Sequence, residues 1–475
     1  MQITEDQLRT FIYNVMNELN SASDAKKAVS TSSGSMGKFT DANEAIDAAL
    51  EAQRQLCELS LEKRAGIIEN IRKNAIANAE LLGKMAHEET KMGRESDKIL
   101  KNILAAKKTP GLEDLKPEAF TGDHGMTLVE RAPFGVIGSI IPSTNPTGTV
   151  INNSISMIAG GNGAVFNPHP SAKQSSCKAV EIVNRAVVEA GGPENIVTAI
   201  VNPTLDSGNT IMHHKDIRLL SITGGPGIVK VAMKSEKKVI AAGPGNPPVV
   251  VDATADLDNA AKSIIDGAGF DNNLLCIAEK EAFVEDKVFD SLMDKMKALG
   301  AYCITEAQLN ELMKYIVAKP AADGGQPAVN RDLVGRNPRE ILRHINIDIP
   351  DTVRLVICEV PKDHPLVSIE QLMPVLPVVR VGNVDEAIEL AYRAERGCHH
   401  TAMMHSRNVD SLTKMARLLD TTIFVKNAPS YSGLGFGGEG FTTLTIATPT
   451  GEGLTSARSF TRIRRCVLKD SFRIV

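Results

Sequence analysis

The chain has 475 residues, of which 43% are hydrophobic, and a chain of this length is expected to bury a large core and to form more than one domain. Its net charge of −4, with no dense basic tract, argues against nucleic acid as a partner. Charged residues interrupt the N-terminal region and no apolar run reaches about 18 residues, so the sequence predicts neither a signal peptide nor a membrane span.

Seven cysteines are scattered along the chain. No two of them have the Cys-x-x-Cys spacing that is typical of a zinc or redox site. We therefore expect reduced thiols in a cytoplasmic protein, and no bound metal.

Residues 3–20 have the pattern of an amphipathic helix. Its apolar side chains recur three and four positions apart, at Leu8, Phe11, Ile12, Val15, Met16 and Leu19. The segment at 21–38 is rich in Ser, Ala, Lys and Gly, which is typical of a flexible linker. A short helix on a linker cannot bury its apolar face alone. It either docks on a partner, packs on its own chain or frays, and the pattern leaves these alternatives open.

Helical spacing continues over residues 39–108, and residues 115–131 are expected to form strands with a turn at 122–125. From residue 133, strands and helices alternate, with strands expected at 134–141, 164–166, 196–201 and 217–222. Units of this length favour a parallel, doubly wound sheet. Polar and Gly- or Pro-rich clusters follow these strands, which is where ligands of such sheets bind.

A second α/β unit is predicted from a Gly- and Pro-rich hinge at 243–248 to about residue 425. Its strands are expected at 281–284, 353–357 and 376–381, and its helices at 286–299, 305–316 and 384–396. Gly433, Gly435 and Gly438 match the Gly-x-Gly-x-x-Gly pattern of dinucleotide sites. We discount this match because a strand-like segment follows where the pattern requires a helix.

The stretch at 269–280 contains the candidate nucleophile. Cys276 follows the polar run Asp-Asn-Asn at 271–273 and lies between two apolar residues. A thiol at such a turn can face a cleft, and a thiolate there would be a strong nucleophile. The alternative is a buried structural cysteine, which is common for free thiols.

In chain order these features resemble the aldehyde dehydrogenase superfamily: Asn145 after a strand, Thr-Gly-Gly at 223–225, the hinge, Cys276 and Glu370. The resemblance is to its CoA-acylating branch, the acetaldehyde and propionaldehyde dehydrogenases of ethanolamine and propanediol utilisation, and covers about residues 39–470. The motifs that carry it are Ile-Pro-Ser-Thr-Asn-Pro-Thr at 141–147, Asn-Pro-His-Pro at 167–170, Ala-Gly-Pro-Gly-Asn at 242–246, His-Thr-Ala at 400–402, and the segments at 437–441 and 446–453.

The resemblance implies an aldehyde dehydrogenase-like α/β fold, with two doubly wound parallel-sheet domains and a small β oligomerisation arm. A nucleotide- and CoA-binding domain would span 39–245 and a catalytic domain 246–440. The arm would combine residues 115–131 with a C-terminal part and tail at 441–475. A homodimer or homotetramer is then expected.

The resemblance also implies the chemistry. Cys276 would attack the aldehyde, Asn145 and the backbone N–H of Cys276 would stabilise the resulting oxyanion, and NAD would take the hydride. Hydrolytic relatives carry a Glu at the position of Ala242, which activates water. Because an alanine methyl cannot accept a proton, coenzyme A is expected to take the acyl group instead. The substrate is expected to be acetaldehyde or propionaldehyde.

A set of cofactor-binding residues follows by the same match: Ile141, Pro142, Ser143, Thr144, Asn167, His169, Thr223, Gly224, Gly225 and Glu370. Without that match, Thr223 and the two glycines would indicate a plain turn, Glu370 a solvated carboxylate, and His169 a structural or surface residue. Asn167 stands where many relatives have a ribose-binding Lys, so the match leaves a preference for NAD over NADP open. His400 is interpreted as lining the cleft, with a Cys-His pair left open.

Enzymes of this branch often carry an amphipathic leader that directs them into a bacterial microcompartment. The resemblance therefore implies that residues 3–20 bind a shell protein and that the enzyme is encapsulated. Three alternative hypotheses remain: a hydrolytic aldehyde dehydrogenase that makes free acid, a non-catalytic microcompartment-associated protein, and a thiol acyltransferase without redox chemistry. Ala242 argues against the first of these readings, and the joint presence of Cys276 and Asn145 argues against the second.

Overall fold

The computed structural model of the chain describes residues 35–319 and 328–474. The amphipathic helix expected at 3–20, and most of the linker expected at 21–38, lie outside these residues. No helix within the described ranges is both long enough and apolar enough to cross a membrane.

The predicted helices form in the expected order, together with helices that were not predicted. In the described residues they are α1 (Ala42–Glu58), α2 (Leu61–Ala77), α3 (Ala79–Thr90), α4 (Glu95–Lys108), α5 (Pro146–Ala159), α6 (Lys173–Glu189), α7 (Leu205–His213), α8 (Pro226–Ala232), α9 (Leu257–Gly269), α10 (Asp286–Ala298), α11 (Glu306–Ile316), α12 (Pro338–Arg343), α13 (Val384–Glu395) and α14 (Val409–Leu419). Asp41 caps the N-terminus of α1, since its side chain accepts hydrogen bonds from the backbone N–H groups of Asn43 and Glu44.

The strands of the described residues alternate with these helices. They are β1 (Lys38–Phe39), β2 (Glu118–Gly122), β3 (Gly125–Pro133), β4 (Val136–Ile141), β5 (Gly163–Pro168), β6 (Val197–Ile200), β7 (Ile217–Thr223), β8 (Lys238–Ala242), β9 (Pro248–Val251), β10 (Glu281–Glu285), β11 (Tyr302–Cys303), β12 (Val317–Lys319), β13 (Ala328–Val329), β14 (Val356–Val360), β15 (Val375–Val381), β16 (Thr401–His405), β17 (Ile423–Lys426), β18 (Ile446–Ala447), β19 (Gly453–Leu454) and β20 (Thr461–Lys469).

The first sheet has the strand order β1-β6-β5-β4-β7-β8, and its strands pair in parallel. One face packs on α2, α5 and α6 through fully buried side chains that include Ile137, Ile155 and Phe166. The opposite face packs on α1 and α7 around Phe39 and Leu220. Helices thus cover both faces, and the predicted doubly wound parallel architecture is confirmed.

The second sheet has the order β11-β14-β15-β10-β9-β16-β17 and is also parallel. Its expected strand at 353–357 begins three residues later, at Val356. Strand β16, helix α14 and strand β17 form where no element was predicted, as does α7 in the first domain. Strand β16 is buried along its whole length, so it lacks the alternation that marks a half-exposed strand.

The segment 243–247 leads from the first sheet to the second. Its Asn246 is fully buried and donates hydrogen bonds to the carbonyls of Val367 (3.0 Å) and Ala394 (2.9 Å). A Cβ atom on Gly245 would lie 2.8 Å from the carbonyl oxygen of Cys276. The expected hinge is therefore a tightly packed crossing that brings the two sheets together beside Cys276.

A separate three-stranded antiparallel sheet has the order β2-β3-β20. The large apolar side chains of Phe120, Ile463 and Val467 are exposed on its strands. Residues 442–460, which were assigned to the arm, instead fold back onto the first domain, where Thr443 contacts Asn152 and Phe460 joins the core. Pairing of the C-terminal segment with β3 begins at Thr461.

Candidate active site

Cys276 follows an unusual turn. After α9 ends, Asp271, Asn272 and Asn273 all have positive φ angles, of 47°, 55° and 65°. Asp and Asn tolerate this left-handed conformation better than other side chains that carry a Cβ atom, because their short polar groups can bond locally. All three are buried. The polar run seen in the sequence is therefore what allows the chain to reverse direction and present Cys276.

The buried ammonium group of Lys280 fixes this turn through hydrogen bonds. Lys280 is inaccessible to solvent, and its Nζ donates to Oδ1 of Asn273 at 2.6 Å and to the carbonyls of Asn273 (3.0 Å) and Leu275 (3.1 Å). Burial lowers the pKa of Lys280 to about 8, against the opposing effect of carboxylates that include Glu370. The residue on the N-terminal side of Cys276 is thus fixed through its backbone.

The cleft beside Cys276 has a volume of about 590 Å³, within the range of small-molecule sites. It lies at the carboxyl ends of the parallel strands, as expected for such sheets. Most of the predicted site residues line it, namely Pro142, Ser143, Thr144, Asn145, His169, Thr223, Gly224, Gly225, Cys276 and Glu370. Cys276 is partly accessible there, so its sulfur can meet a ligand that enters the cleft.

Ile141 and Asn167 do not line the cleft. Ile141 is buried in the core of the first domain. Asn167 is also buried, and its Oδ1 accepts a hydrogen bond from the hydroxyl of Ser207 at 2.7 Å. Ile141 is the last residue of β4 and Asn167 the second-last of β5, so both closely precede residues that line the cleft but do not line it themselves.

Asn145 precedes the first turn of α5, with Pro146 as the first helical residue. Its side-chain Oδ1 accepts a hydrogen bond from Lys101 Nζ. Its Nδ2 has a longer contact, of 3.4 Å, to the hydroxyl of Thr144. The amide nitrogen is therefore the end of this side chain that is available to a ligand in the cleft.

The electrostatics around Cys276 favour the neutral thiol. Burial raises the pKa of Cys276 to about 12, and the charge of Glu370 adds to this effect, whereas Lys280 and Lys101 oppose it. Glu370 is itself affected, since burial raises its pKa to about 7. Its carboxylate accepts a hydrogen bond from the backbone N–H of Gly245 at 3.3 Å.

His400 was interpreted as lining the cleft. In the structure it is fully buried and does not line the cleft, and it packs next to the crossing segment at 243–247. A Cβ atom on Gly245 would lie 2.9 Å from Cγ of its ring. Its Nδ1 is 2.9 Å from the hydroxyl of Thr401, and Nε2 has no hydrogen-bond partner among the described residues. Burial and Lys280 lower the pKa of His400 to about 4, so the ring is neutral at pH 7.

Several residues of the cleft were not predicted, among them Arg331, Arg336 and Leu444. The two arginines lie in a loop whose sequence has no distinctive pattern. Leu444 reaches the cleft because residues 442–460 fold back, and nearby the hydroxyls of Thr223 and Thr445 are 3.1 Å apart. Within the described ranges, no group of three or more His, Cys, Asp or Glu side chains is placed to hold a metal ion.

Comparison with known proteins agrees with this geometry. The model of the aldehyde dehydrogenase family matches residues 17–323. The acetaldehyde dehydrogenase (acetylating) EutE of Salmonella typhimurium is 51% identical over 93% of this chain and 94% of that protein.

The chain belongs to the aldehyde dehydrogenase family. Two solved members of this family are also similar. A propionaldehyde dehydrogenase from the fucose utilisation bacterial microcompartment of Clostridium phytofermentans has a TM-score of 0.89 and 50% identity, over 93% of this chain and 100% of that one. A propionaldehyde dehydrogenase of Rhodopseudomonas palustris, solved with bound CoA and an acylated cysteine, has a TM-score of 0.88 and 47% identity, over 92% of this chain and 99% of that one.

Proposed function

We propose that this chain oxidises acetaldehyde or propionaldehyde to the corresponding acyl-CoA, with reduction of NAD, and that Cys276 carries the acyl group. It is a CoA-acylating aldehyde dehydrogenase, as its relatives are named. The observation that carries the assignment to these residues is one cleft that contains the thiol of Cys276, the amide of Asn145 and the methyl group of Ala242.

Cys276 performs the first step. The thiol, which its raised pKa keeps mainly neutral, first releases its proton to solvent, and the thiolate then adds to the carbonyl carbon and forms a hemithioacetal oxyanion. The amide Nδ2 of Asn145 and the backbone N–H of Cys276 donate hydrogen bonds to this oxygen, and one such donor typically contributes roughly 3 kcal/mol to transition-state stabilisation. NAD, when bound, supplies the acceptor for the hydride that leaves as the oxyanion collapses. Cys276 is left as an acyl-thioester.

Ala242 decides how the thioester is resolved. It ends β8 and lines the cleft beside Cys276, where its methyl group cannot deprotonate a water molecule. Attack by water on the acyl group is therefore slow. The sulfur of coenzyme A, having lost its proton, bonds to the acyl carbon instead, the bond from that carbon to Cys276 breaks, and Cys276 leaves as a thiolate. Exchange between two thioesters is nearly neutral in free energy, so this acyl-transfer step runs in both directions.

The residues that would hold NAD and CoA are those at the strand ends. The hydroxyl groups of Ser143, Thr144 and Thr223 offer hydrogen bonds, and open space next to Gly225 allows a ligand to approach its backbone closely. The carboxylate of Glu370 suits the ribose of the nicotinamide half, and His169 lines the same cleft. Both ligands carry phosphates, which the guanidinium groups of Arg331 and Arg336 suit. We assign no direct contact to Ile141 or Asn167.

Turnover with and without CoA tests this function. Purified enzyme with aldehyde and NAD should give one equivalent of NADH per active site and then stop, and addition of CoA should restore steady turnover. Mass spectrometry of the stalled enzyme should find the acyl group on the peptide that contains Cys276, and the Cys276→Ala variant should give neither burst nor adduct. Rapid release of free acid without CoA would instead identify a hydrolytic enzyme.

We also propose that the β2-β3-β20 sheet is an oligomerisation arm, through which the chain forms a dimer or tetramer. The exposed apolar side chains of Phe120, Ile463 and Val467 support this role, since a second copy would remove them from water. Light scattering should find that Ile463→Asp combined with Val467→Asp lowers the molar mass. The same masses for the wild-type and variant chains would count against the arm.

Encapsulation by a microcompartment shell, with docking through residues 3–20, is a further part of the proposal. It rests on the apolar periodicity of that segment and on the Clostridium relative, which comes from a microcompartment. Deletion of residues 1–19 should leave kcat intact and abolish co-purification with shells. Deletion of residues 21–30 is a matched control, because it shortens the linker and keeps the apolar face.

A further inference from the structure

Four charged side chains are buried where α4 meets the turn before Cys276. Asp97, Lys98 and Lys101 lie on α4 and Asp271 lies in the turn, and each is at most 5% exposed. Charged groups are rarely buried so fully unless they are paired. The proposed reaction does not by itself assign a task to these groups.

Lys101 joins two of the elements that form the site. Its Nζ donates one hydrogen bond to Oδ2 of Asp271 and another to Oδ1 of Asn145. Asp271 is on the same turn as Cys276, and Asn145 lies between strand β4 of the first sheet and helix α5. One ammonium group therefore connects the proposed oxyanion donor to the turn that carries the nucleophile.

The chemistry of the ammonium determines which way the amide of Asn145 points. The two ends of an Asn side chain have nearly the same shape, so packing alone does not distinguish them. The hydroxyl of Thr144 can donate or accept and does not distinguish them either. An ammonium group can only donate, so it selects the oxygen and turns the NH₂ group away from Lys101.

Lys101 is itself held in place. Oδ1 of Asp271 accepts a hydrogen bond from the backbone N–H of Arg94 at 2.8 Å, and a Cβ atom on Gly93 would collide with that oxygen. Lys98 adds a second ammonium, 3.3 Å from Oδ2 of Asp271. Burial would raise the pKa of Asp271, but Lys101 and Lys98 outweigh it and lower the pKa below its usual value, so the carboxylate is ionised at pH 7.

We propose that Lys101, held by Asp271, is a positioning residue that keeps the NH₂ group of Asn145 directed at the oxyanion formed on Cys276. This inference rests on the role proposed above for Asn145. The ammonium also polarises the amide, which makes its N–H a stronger donor. Because Asp271 and Cys276 share one turn, the same contacts fix the distance between donor and nucleophile.

Lys101→Met tests the inference, with Lys98→Met as a matched control. Lys98 is on the same helix, is buried to a similar degree and contacts the same carboxylate, but its other hydrogen bond goes to the backbone carbonyl of Thr144 (3.4 Å) and not to the side-chain amide of Asn145. In a single turnover, Lys101→Met should slow NADH formation about 10- to 100-fold, a part of the loss that follows removal of an oxyanion donor. Lys98→Met should slow it less than about 3-fold.

Alkylation of Cys276 by iodoacetamide forms no oxyanion, so it separates positioning from general damage. Lys101 slightly opposes the raised pKa of Cys276, so its removal should slow alkylation by no more than about 3-fold, and the rate for Lys98→Met should remain within about 3-fold of wild type. Asn145→Ala should lose about 10²- to 10³-fold in NADH formation, and the Lys101→Met/Asn145→Ala double variant should be no slower. Equal single-turnover rates of NADH formation for Lys101→Met and Lys98→Met, together with a slow rate for Asn145→Ala, would overturn the inference. A wild-type rate of NADH formation in the Asn145→Ala variant would instead overturn the proposed role of Asn145.

If Lys101→Met does not fold, Lys101→Arg and Lys101→Gln test the same point. Arg can only donate, whereas Gln presents a donor and an acceptor, so it no longer selects one end of the amide. Arg should therefore restore more of the single-turnover rate than Gln. Equal rates for these two variants would also contradict the proposed positioning role.

Discussion

The two walls of the cleft are built in opposite ways. The wall that carries Cys276 consists of buried polar and charged groups, with three successive residues at positive φ and an ammonium group on either side. The facing wall, formed by residues 142–144 and 223–225, consists of segments at strand ends that are partly or fully exposed. Gly225, for example, is exposed and has open space where a side chain would lie.

This difference matches what each wall is proposed to do. Bond formation at Cys276 requires reacting groups held within a fraction of an ångström, which buried networks supply. The facing wall has to admit and release two different ligands in each turnover, which accessible and loosely bonded loops allow. Substitutions at the first wall should therefore change rate and stability, and those at the second should change KM.

The largest expected effect is that of Cys276→Ala. Removal of the nucleophile should lower kcat at least about 10⁴-fold, since alanine cannot form the thioester. The melting temperature should stay close to that of wild type, because the side chain is partly exposed and small. Steady-state NADH formation and a thermal melt check both parts, and retained turnover would remove Cys276 from the mechanism.

Asp271→Asn should have the next largest effect, on stability. The substitution removes the partner of two buried ammonium groups, and breaking a buried pair in this way typically costs about 3–5 kcal/mol. Urea denaturation should find this loss in the free energy of unfolding. Asp286→Asn is a suitable control, because its bond to Arg380 is on the surface and should contribute less than about 1 kcal/mol.

The reactivity of Cys276 should depend on pH in a characteristic way. With its pKa raised to about 12, little thiolate is present at pH 8, so the rate of alkylation should rise about tenfold per pH unit through pH 9 and beyond. An unperturbed thiol would level off near its pKa of about 8.5. Rates measured with iodoacetamide from pH 7 to 10 check this prediction.

Glu370→Gln should accelerate that alkylation about 3- to 10-fold at pH 8 to 9, because it removes a negative charge that disfavours the thiolate. The effect should fade below pH 7, where protonation removes the same charge from the wild-type carboxyl group. Glu118→Gln, on exposed strand β2, provides the control and should leave the rate unchanged. An increase that persists at pH 5 would point to a steric rather than an electrostatic cause.

Thr223→Ala, on the facing wall, should have the smallest effect. It removes one hydroxyl group and its contact with Thr445. A single neutral hydrogen bond contributes about 0.5–1 kcal/mol, so KM for NAD should rise about 2- to 5-fold with kcat unchanged. A large loss of kcat here, comparable with that of Lys101→Met, would contradict the division between the two walls.

The sequence predicted the elements that have a strong local signal. Apolar periodicity and polar clusters at strand ends indicated two parallel sheets, and the sheets have that architecture. Elements without such a signal were missed. Strand β16 is buried along its whole length and lacks alternation, and Arg331 and Arg336 lie in a loop with no distinctive pattern.

By itself, the sequence determined which residues could do chemistry: a cysteine after an Asp-Asn-Asn turn, an asparagine at the end of a strand, and an alanine in place of a carboxylate. Only the tertiary structure decided their surroundings. It buried His400 beside Gly245 and outside the cleft lining, and it brought Lys101 between Asp271 and Asn145 across 170 and 44 positions of the chain. The physical reason is that burial and hydrogen bonding depend on packing between residues that are far apart in the chain, and local sequence patterns do not contain this information.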